Sequence, residues 1–312
     1  MLFPQNSSRP DNSPVFSSLL ILFGFILIGM VLGNVIGSIG MIWMTDLTFQ
    51  DFQDLGTTLR QHPNGWYAMI FSQGMASLIM FTLAGLAYWK FIEKRPFQDF
   101  NAYRNPSPGI FLFVYLIHII SLPFSSWVQA TNEQMKLPSS LQSIENYMRS
   151  MEDRLADLTG FLTTYDSFGQ FLLAFLVIAV IAGFGEELIF RGLLQRKLQL
   201  GIGNAHAAIW LSAFIFSAIH FQFYGFFPRL FLGAMFGYFY YWTGNLWVAV
   251  AGHIFNNGLA VLVMYLIHLK KVSPELEKME QIPIYGTLAS AILTFLALWY
   301  FKRYVEQEKI AI

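Results

Sequence analysis

Three ionisable side chains occur inside a long apolar run of the sequence, where charged groups are rare. Glu186, Glu187 and Arg191 lie in the run that begins at Phe171, and apolar residues resume at Leu188. In a bilayer each charge costs at least about 2–3 kcal/mol unless it is paired or faces a wet cavity. Glu187 and Arg191 are four residues apart, so on a helix they share a face and can pair. Glu186 has no such partner in its own segment, which makes it a candidate general base.

Two later apolar runs carry polar side chains that could complete a catalytic site. His220 follows Phe216 by one helical turn, and His253 and Asn257 share a helical face four residues apart. Taken singly, each of these signals is weak, because a lone histidine in a span is more often a structural residue. At about 1.5 Å per helical residue, however, Glu186 and the three polar residues reach similar depths in their segments. The sequence therefore predicts one shared cavity near the bilayer middle, which we expect to open inward.

The composition places these residues in a membrane protein. Of 312 residues, 55% are hydrophobic and only 12% are charged, with 32 Phe, 14 Tyr and 8 Trp, which is more than a soluble core would bury. The formal net charge is zero, so charge gives no indication of a nucleic-acid partner. Since the chain has no cysteine, disulfides, thiolate metal sites and a cysteine nucleophile are excluded.

Apolar segments of sufficient length predict an all-α fold. By the rule of about 20 residues per span, we predict a polytopic transmembrane bundle of about eight helices. They cover residues 15–43, 67–91, 108–128, 168–194, 205–223, 226–243, 245–267 and 284–302. The two shortest loops on one side are basic, which is typical of the cytoplasmic side, so both termini are predicted to be cytoplasmic.

Three features outside the candidate site predict packing or surface contacts. Glycines at positions 29, 33 and 37 form a smooth stripe on the first span, which lets another helix approach closely. Residues 131–164 have the pattern of an amphipathic helix, which would either lie on the membrane or cap a cavity. Arg229, just after Pro228, is expected to face the outer surface and bind lipid headgroups.

Taken together, the three polar motifs resemble those of the CPBP intramembrane proteases. This is the CAAX protease and bacteriocin-processing (Abi) family, which includes the type II CAAX prenyl endopeptidases. Its motifs EExxxR, FxxxH and HxxxN stand here in family order as Glu186–Arg191, Phe216–His220 and His253–Asn257. The similarity covers about residues 165–265 and is silent on the flanking spans.

The resemblance implies a role for each motif residue. Glu186 and His220 would activate a water, while His253 and Asn257 would stabilise the oxyanion of a tetrahedral intermediate. Structural support would come from Glu187, Arg191 and Phe216. On this basis we divide the chain into N-terminal spans with an outer amphipathic segment (1–164), a CPBP-like catalytic core (165–268), and an outer loop, last span and cytoplasmic tail (269–312).

The resemblance also implies an activity and a location. The protein would be an intramembrane endopeptidase that hydrolyses a peptide bond of a membrane-associated or lipidated substrate. Its partners would be that substrate and the lipid bilayer, without nucleic acid. It would be a multi-pass protein of a bacterial inner membrane. The substrate, whether it is prenylated, and the oligomeric state are left open.

Metal dependence has two alternatives at this stage. If zinc is present, its ligands would be Glu186, His220 and His253, which together form an acceptable zinc set. However, the chain has no HExxH helix, and the three ligands would come from three different spans. We therefore favour a metal-independent reaction without a cofactor, with zinc as the alternative.

Two functions of other classes compete with a protease. In a proton-coupled transporter, Glu186, His220 and His253 would form a proton relay. The chain shows no repeated half of the kind that many transporters carry. The second rival is a non-catalytic membrane scaffold that acts as an immunity or maturation partner.

Overall fold

The computed structural model describes residues 14–48, 55–102, 105–273 and 283–310, and no strand occurs among them. Its α-helices are α1 Val15–Thr45, α2 Leu55–Gln61, α3 Gly65–Glu93, α4 Pro108–Glu133, α5 Gln142–Leu162, α6 Phe168–Ile202, α7 Ala205–Ala218, α8 Phe226–Thr243, α9 Leu246–His268 and α10 Ile284–Ile310. The predicted all-α class is confirmed. Residues 1–13 and 311–312 lie outside the described part, so the cytoplasmic location of both termini stays a prediction.

Six of the described helices are long and apolar enough to cross a membrane, namely α1, α3, α4, α6, α9 and α10. The protein is therefore a multi-pass integral membrane protein. The predicted span 226–243 corresponds to α8, which is not among the six. The predicted span 205–223 is too long, because α7 ends at Ala218. The total of about eight spans remains a prediction based on apolar segment length.

The first span packs closely on α3, as its glycine stripe predicts. A Cβ atom on Gly33 would lie 3.0 Å from the Cα of Ala76, and one on Gly29 would lie 2.9 Å from the carbonyl oxygen of Ile79. Larger side chains at these positions would push the two backbones apart. The predicted close approach is confirmed.

The long helix α6 is the central element of the fold. π-Helical turns at Phe175–Ile181 and Leu188–Gln195 flank its segment Ala182–Glu187, and such turns are frequent at functional sites. Glycines let neighbours approach this segment: a Cβ on Gly185 would lie 2.8 Å from Oγ1 of Thr82 in α3. Near its C-terminal end, Lys197 forms a buried ion pair with Glu93 of α3 at 2.9 Å. These contacts fix the position and rotation of α6.

Helices α4, α7, α8 and α9 contribute to the same hydrophobic core as α6. α7 packs on α8, while α9 contacts α4, α6 and α8. α8 ends at Thr243 and is followed by Gly244, whose φ of 64° is accessible to glycine without strain. Asn245 then caps α9, because its side-chain oxygen accepts from the N–H of Trp247 at 2.9 Å. This tight turn sets the start of the helix that carries His253 and Asn257.

Candidate active site

The four residues predicted to be catalytic line one cavity. Glu186 projects from α6, His220 from the turn that follows α7, and His253 and Asn257 from α9, and all four border a cavity of about 270 Å³. The structure thus brings together side chains that three separate segments of the sequence carry. The cavity provides a polar space between helices that are otherwise apolar.

Beside this cavity, Glu187 and Arg191 form a closed ionic cluster. Oε1 of Glu187 accepts from Nη1 of Arg191 at 2.6 Å, and both side chains are almost fully buried. Nη2 of Arg191 donates to the carbonyl oxygen of Gly233 in α8 at 2.7 Å. The guanidinium carbon lies 4.8 Å from the centre of the Phe216 ring. The ion pair expected from the i, i+4 spacing is therefore present, and it links α6 to α8.

His253 joins the closed cluster to the cavity. Its Nδ1 lies 2.7 Å from Oε1 of Glu187, and its Nε2 lies 3.7 Å from Oε2 of Glu186. Since a carboxylate can only accept, we assign the proton to Nδ1, which then donates to Glu187. The ring stacks on Phe236 with 5.0 Å between centroids. The sequence did not predict the contact with Glu187, because spacing reveals only pairs within one segment.

His220 lies in a turn and not within a membrane helix, which corrects the sequence-based expectation. α7 ends at Ala218, and Phe221 has a left-handed backbone with φ of 53°. Nδ1 of His220 lies 2.7 Å from the carbonyl oxygen of Phe216, so Nδ1 carries the proton and Nε2 is the basic nitrogen. The Phe216 ring also meets His220 edge-on at 5.0 Å. Phe216 thus fixes the orientation of the imidazole through both its backbone and its ring.

Asn257 is only partly available to a substrate. Its Nδ2 donates to the carbonyl oxygen of Ile178 at 3.0 Å, and its Oδ1 accepts from Nδ2 of Asn256 at 3.0 Å. A carboxamide has two N–H groups, so one remains to point at a bound group. The bond to Ile178 also links α9 to a π-helical turn of α6.

Three cavity-lining polar residues were not identified from the sequence as site residues: Gln129, Arg229 and Asn256. Arg229 was expected to face the outer surface, but its guanidinium lies against Gly225 and borders the cavity. The free-energy cost of placing a charge in an apolar run, which singled out Glu186, could also have revealed Arg229, because Arg229 is likewise a charge within such a run. Its orientation depends on tertiary packing, which the sequence pattern does not report.

The cavity lies on the side that the predicted topology places outside. Gln129 is near the C-terminal end of α4, and Arg229 is near the N-terminal end of α8, so both are remote from the basic loops. The lining thus extends from the middle of the helices toward the predicted outer side. The inward opening expected from the sequence stays a prediction.

The amphipathic helix α5 contacts the turn next to the site. Oε2 of Glu152 accepts from the backbone N–H of Tyr224 at 3.1 Å, and the Arg149 guanidinium lies 4.2 Å from the centre of the Tyr224 ring. Burial raises the pKa of Glu152 above its ordinary value, against the opposing effect of the hydrogen bond from Tyr224. Of the two alternatives for this segment, these contacts favour a cap beside the cavity.

The grouping of ligand side chains gives the zinc alternative no support. Among the described residues, no three His, Asp or Glu side chains are grouped so that they could hold a metal ion. Glu186, His220 and His253 border one cavity without converging on a common point.

Comparison with known proteins identifies the same region of the chain. Residues 168–259 match the family model described as type II CAAX prenyl endopeptidase Rce1-like. This segment contains all four cavity residues predicted to be catalytic, and the match confirms the family resemblance recognised from the motifs.

A curated relative covers part of the chain. The uncharacterized protein YpbD of Bacillus subtilis (strain 168) is 26% identical over 98 residues, which is 30% of this chain and 47% of that protein. The chain therefore matches about half the length of this relative. No solved structure matches the chain.

Proposed function

We propose that this protein is an intramembrane endopeptidase that hydrolyses a peptide bond of a membrane-associated or lipidated substrate. The observation that carries the proposal is the cavity in which Glu186, His220, His253 and Asn257 meet. The match of residues 168–259 to an Rce1-like endopeptidase family supports it. A site within a membrane bundle is suited to a substrate that is itself held at the membrane. We include a bacterial inner-membrane location in the proposal.

In the first step, water is activated and attacks the scissile carbonyl carbon. The Glu186 carboxylate and the basic Nε2 of His220 border the same cavity, and either can accept a proton from a water between them. Attack forms a tetrahedral intermediate with a negatively charged oxygen. General-base assistance of this kind contributes about 10²–10⁴-fold to the rate.

In the second step, the oxyanion is stabilised and the intermediate collapses. The remaining N–H of Asn257 is one donor, and Nε2 of His253 is the other when the ring is an imidazolium. Glu187 and Glu186, on either side of that ring, compensate its positive charge. The proton taken from water then passes to the amide nitrogen and the C–N bond breaks. The products are a carboxylic acid and an amine, as hydrolysis requires.

Cleavage by purified protein tests the proposal. Palmitoylated peptides of mixed sequence would be incubated with the protein in lipid nanodiscs, and new termini would be detected by mass spectrometry. We expect wild type to cleave, and Glu186→Gln to lose at least about 100-fold in rate while its free energy of unfolding falls by less than about 1 kcal/mol. The matched control is Glu306→Gln, because Glu306 is exposed on α10, where its side chain is 60% accessible.

The same comparison separates the rival functions. Full cleavage by Glu186→Gln would contradict the assigned role of Glu186. Absence of cleavage by wild type, together with proton-coupled flux that Glu186→Gln abolishes, would establish the transporter. A cellular phenotype that Glu186→Gln leaves intact would establish the scaffold.

Metal analysis of the same preparation addresses the zinc alternative. No step above is routed through a metal, so we expect cleavage to persist after dialysis against a chelator. Stoichiometric zinc whose removal abolishes cleavage and whose return restores it would reverse this preference.

A further inference from the structure

Arg229 has unsatisfied hydrogen-bonding capacity at the edge of the cavity. Among the described residues it has one hydrogen bond, in which Nη2 donates to Oε1 of Gln222 at 2.8 Å, while its buried Nη1 has no partner. Glu152 and Glu186 are close enough to attract the guanidinium but do not form an ion pair with it. A buried donor without a partner destabilises the folded state, and more so when it is charged. A ligand that accepts from Nη1 would remove this cost.

Arg191 shows what a structural arginine looks like in this bundle. It is fully buried, its Nη1 is paired with Glu187, and its Nη2 donates to the carbonyl oxygen of Gly233. Arg229 has fewer hydrogen-bond partners than Arg191, and it borders the cavity that Glu186 also lines. The difference leaves Arg229 with a free donor, Nη1, that a bound group or a water in the cavity can use.

The chemistry of the guanidinium favours, as that bound group, an anion with two acceptor oxygens. Two N–H groups of an arginine fork match a carboxylate in a bidentate arrangement, with short charge-assisted hydrogen bonds. The proposed substrate is a peptide, which supplies carboxylates at its C-terminus and on acidic side chains. The cavity of about 270 Å³ lies just below the usual range of ligand pockets, about 300–1,000 Å³. A carboxylate bound there therefore belongs to a residue close to the scissile bond.

We propose that Arg229 is a specificity-determining residue that binds a substrate carboxylate next to the site of cleavage. The carboxylate comes from the C-terminus of the substrate or from an acidic side chain. The inference rests on the proposed peptidase function, since it names the chemistry of the substrate for the same cavity.

Binding of matched acylated peptides tests the proposal. The first pair is palmitoyl-Ala-Leu-Ala-Leu as the free acid and as its carboxamide. The second pair is palmitoyl-Ala-Leu-Glu-Leu-amide and its Gln counterpart. Dissociation constants would be measured in nanodiscs by microscale thermophoresis. The Glu186→Gln background keeps the peptides intact, whether or not the protein is a peptidase.

We expect at least one acidic peptide to bind roughly 10- to 100-fold more tightly than its neutral counterpart. In the same background, Arg229→Gln should bring the ratio of the two dissociation constants, neutral over acidic peptide, close to one. The matched control, Arg154→Gln, should preserve it, because Arg154 is exposed on α5 and does not border the cavity. A preference in the first pair identifies the C-terminus as the source, and a preference in the second identifies an acidic side chain.

Two further variants guard against misfolding of Arg229→Gln. Arg229→Lys keeps the positive charge but lacks the parallel N–H donors of the guanidinium. It should therefore retain part of the preference for the acidic peptide. Gly225→Ala keeps Arg229 itself, but its Cβ would lie 2.7 Å from Nη2, so the flexible guanidinium must move and the ratio should fall. All variants would first be checked by size-exclusion chromatography and thermal unfolding.

The proposal is overturned by a ratio near one in both pairs with Arg229 present, or by a preference that survives Arg229→Gln. Its failure is distinguishable from that of the proposed function. An Arg229-dependent preference without cleavage by wild type would retain the carboxylate site and remove the peptidase. Cleavage by wild type without any preference would do the opposite.

Discussion

Glu186 and Glu187 are neighbours on α6, yet their side chains lie in opposite surroundings. The Glu187 side chain is 0% exposed and contacts both Arg191 and His253. The Glu186 side chain is 14% exposed, faces the cavity, and has its nearest ionic contact at 3.7 Å from Nε2 of His253. One carboxylate thus belongs to a closed cluster and the other to an open site.

This difference distinguishes charged side chains that stabilise the packing of the helices from charged side chains that are available to a ligand or a water. In the closed cluster, Oε1 of Glu187 accepts from both Arg191 and His253, and Arg191 also donates to Gly233, so the cluster connects α6 to α8 and α9. In the cavity, Glu186 and Arg229 keep capacity for a ligand or a water. Removing a charge from the first region should therefore destabilise the fold, whereas removing one from the second should impair function.

The largest effect is expected from Arg191→Met. This change leaves the Glu187 carboxylate buried beside an uncharged side chain, and such a loss typically costs about 3–5 kcal/mol. The free energy of unfolding would be measured by denaturant titration in mixed micelles. Glu186→Gln serves as the comparison and should lose less than about 1 kcal/mol. Equal losses in the two variants would remove the distinction between the regions.

A smaller structural effect is expected from Gly233→Val. A Cβ at this position would lie 3.1 Å from Cδ1 of Phe216 and 3.2 Å from Cβ of Ala213, so the branched side chain must displace α7 from α8. Overpacking of this kind costs about 1–3 kcal/mol. The same unfolding assay would detect it, and an unchanged stability would show that the contact between α7 and α8 is loose.

Asn257→Ala tests a residue that takes part in both structure and function. It loses the hydrogen bond to the Ile178 carbonyl, worth about 1 kcal/mol. It also loses a proposed oxyanion donor, which should lower kcat by about 10²–10³-fold. Stability and peptide cleavage would be measured on the same preparation. A cleavage rate reduced only in proportion to the unfolded fraction would assign Asn257 to structure alone.

The smallest effect is expected from Glu152→Gln, which concerns pH dependence. Because burial raises the pKa of Glu152 in the folded state, the unfolded chain ionises first as pH rises. Ionised Glu152 therefore destabilises the folded state. This destabilisation is absent below the ordinary Glu pKa of about 4.3 and reaches its full value above the raised pKa of the folded state. Gln keeps an acceptor for Tyr224 but cannot ionise. The melting temperature of the variant relative to wild type should therefore be higher at pH 8 than at pH 4; a constant or opposite difference would contradict this.

The sequence was sufficient for the fold class and for four of the polar residues that line the cavity. Apolar runs located the long helices, and the cost of burying charge singled out Glu186, Glu187 and Arg191. The i, i+4 spacing predicted the ion pair between Glu187 and Arg191, because both partners lie on one helix. The division of the chain at residues 164 and 268 stays a prediction.

Other features depend on tertiary structure that the pattern does not contain. The apolar sequence continues beyond Ala218, so hydropathy gave no sign that Phe221 turns the chain. His253 and Glu187 are 66 residues apart, and only the packing of α9 on α6 reveals their hydrogen bond. Arg229 was placed at the surface because helix position alone does not determine which way a long side chain points.

The central claim is that a water in the cavity, activated at Glu186, attacks the peptide bond directly. A single-turnover reaction in H₂¹⁸O, with the protein in excess over a cleavable palmitoylated peptide, tests it by mass spectrometry of the new carboxyl group. We predict one ¹⁸O atom in that group in the first turnover. An unlabelled carboxyl group, with its oxygen supplied by a carboxylate of the protein, would contradict the claim.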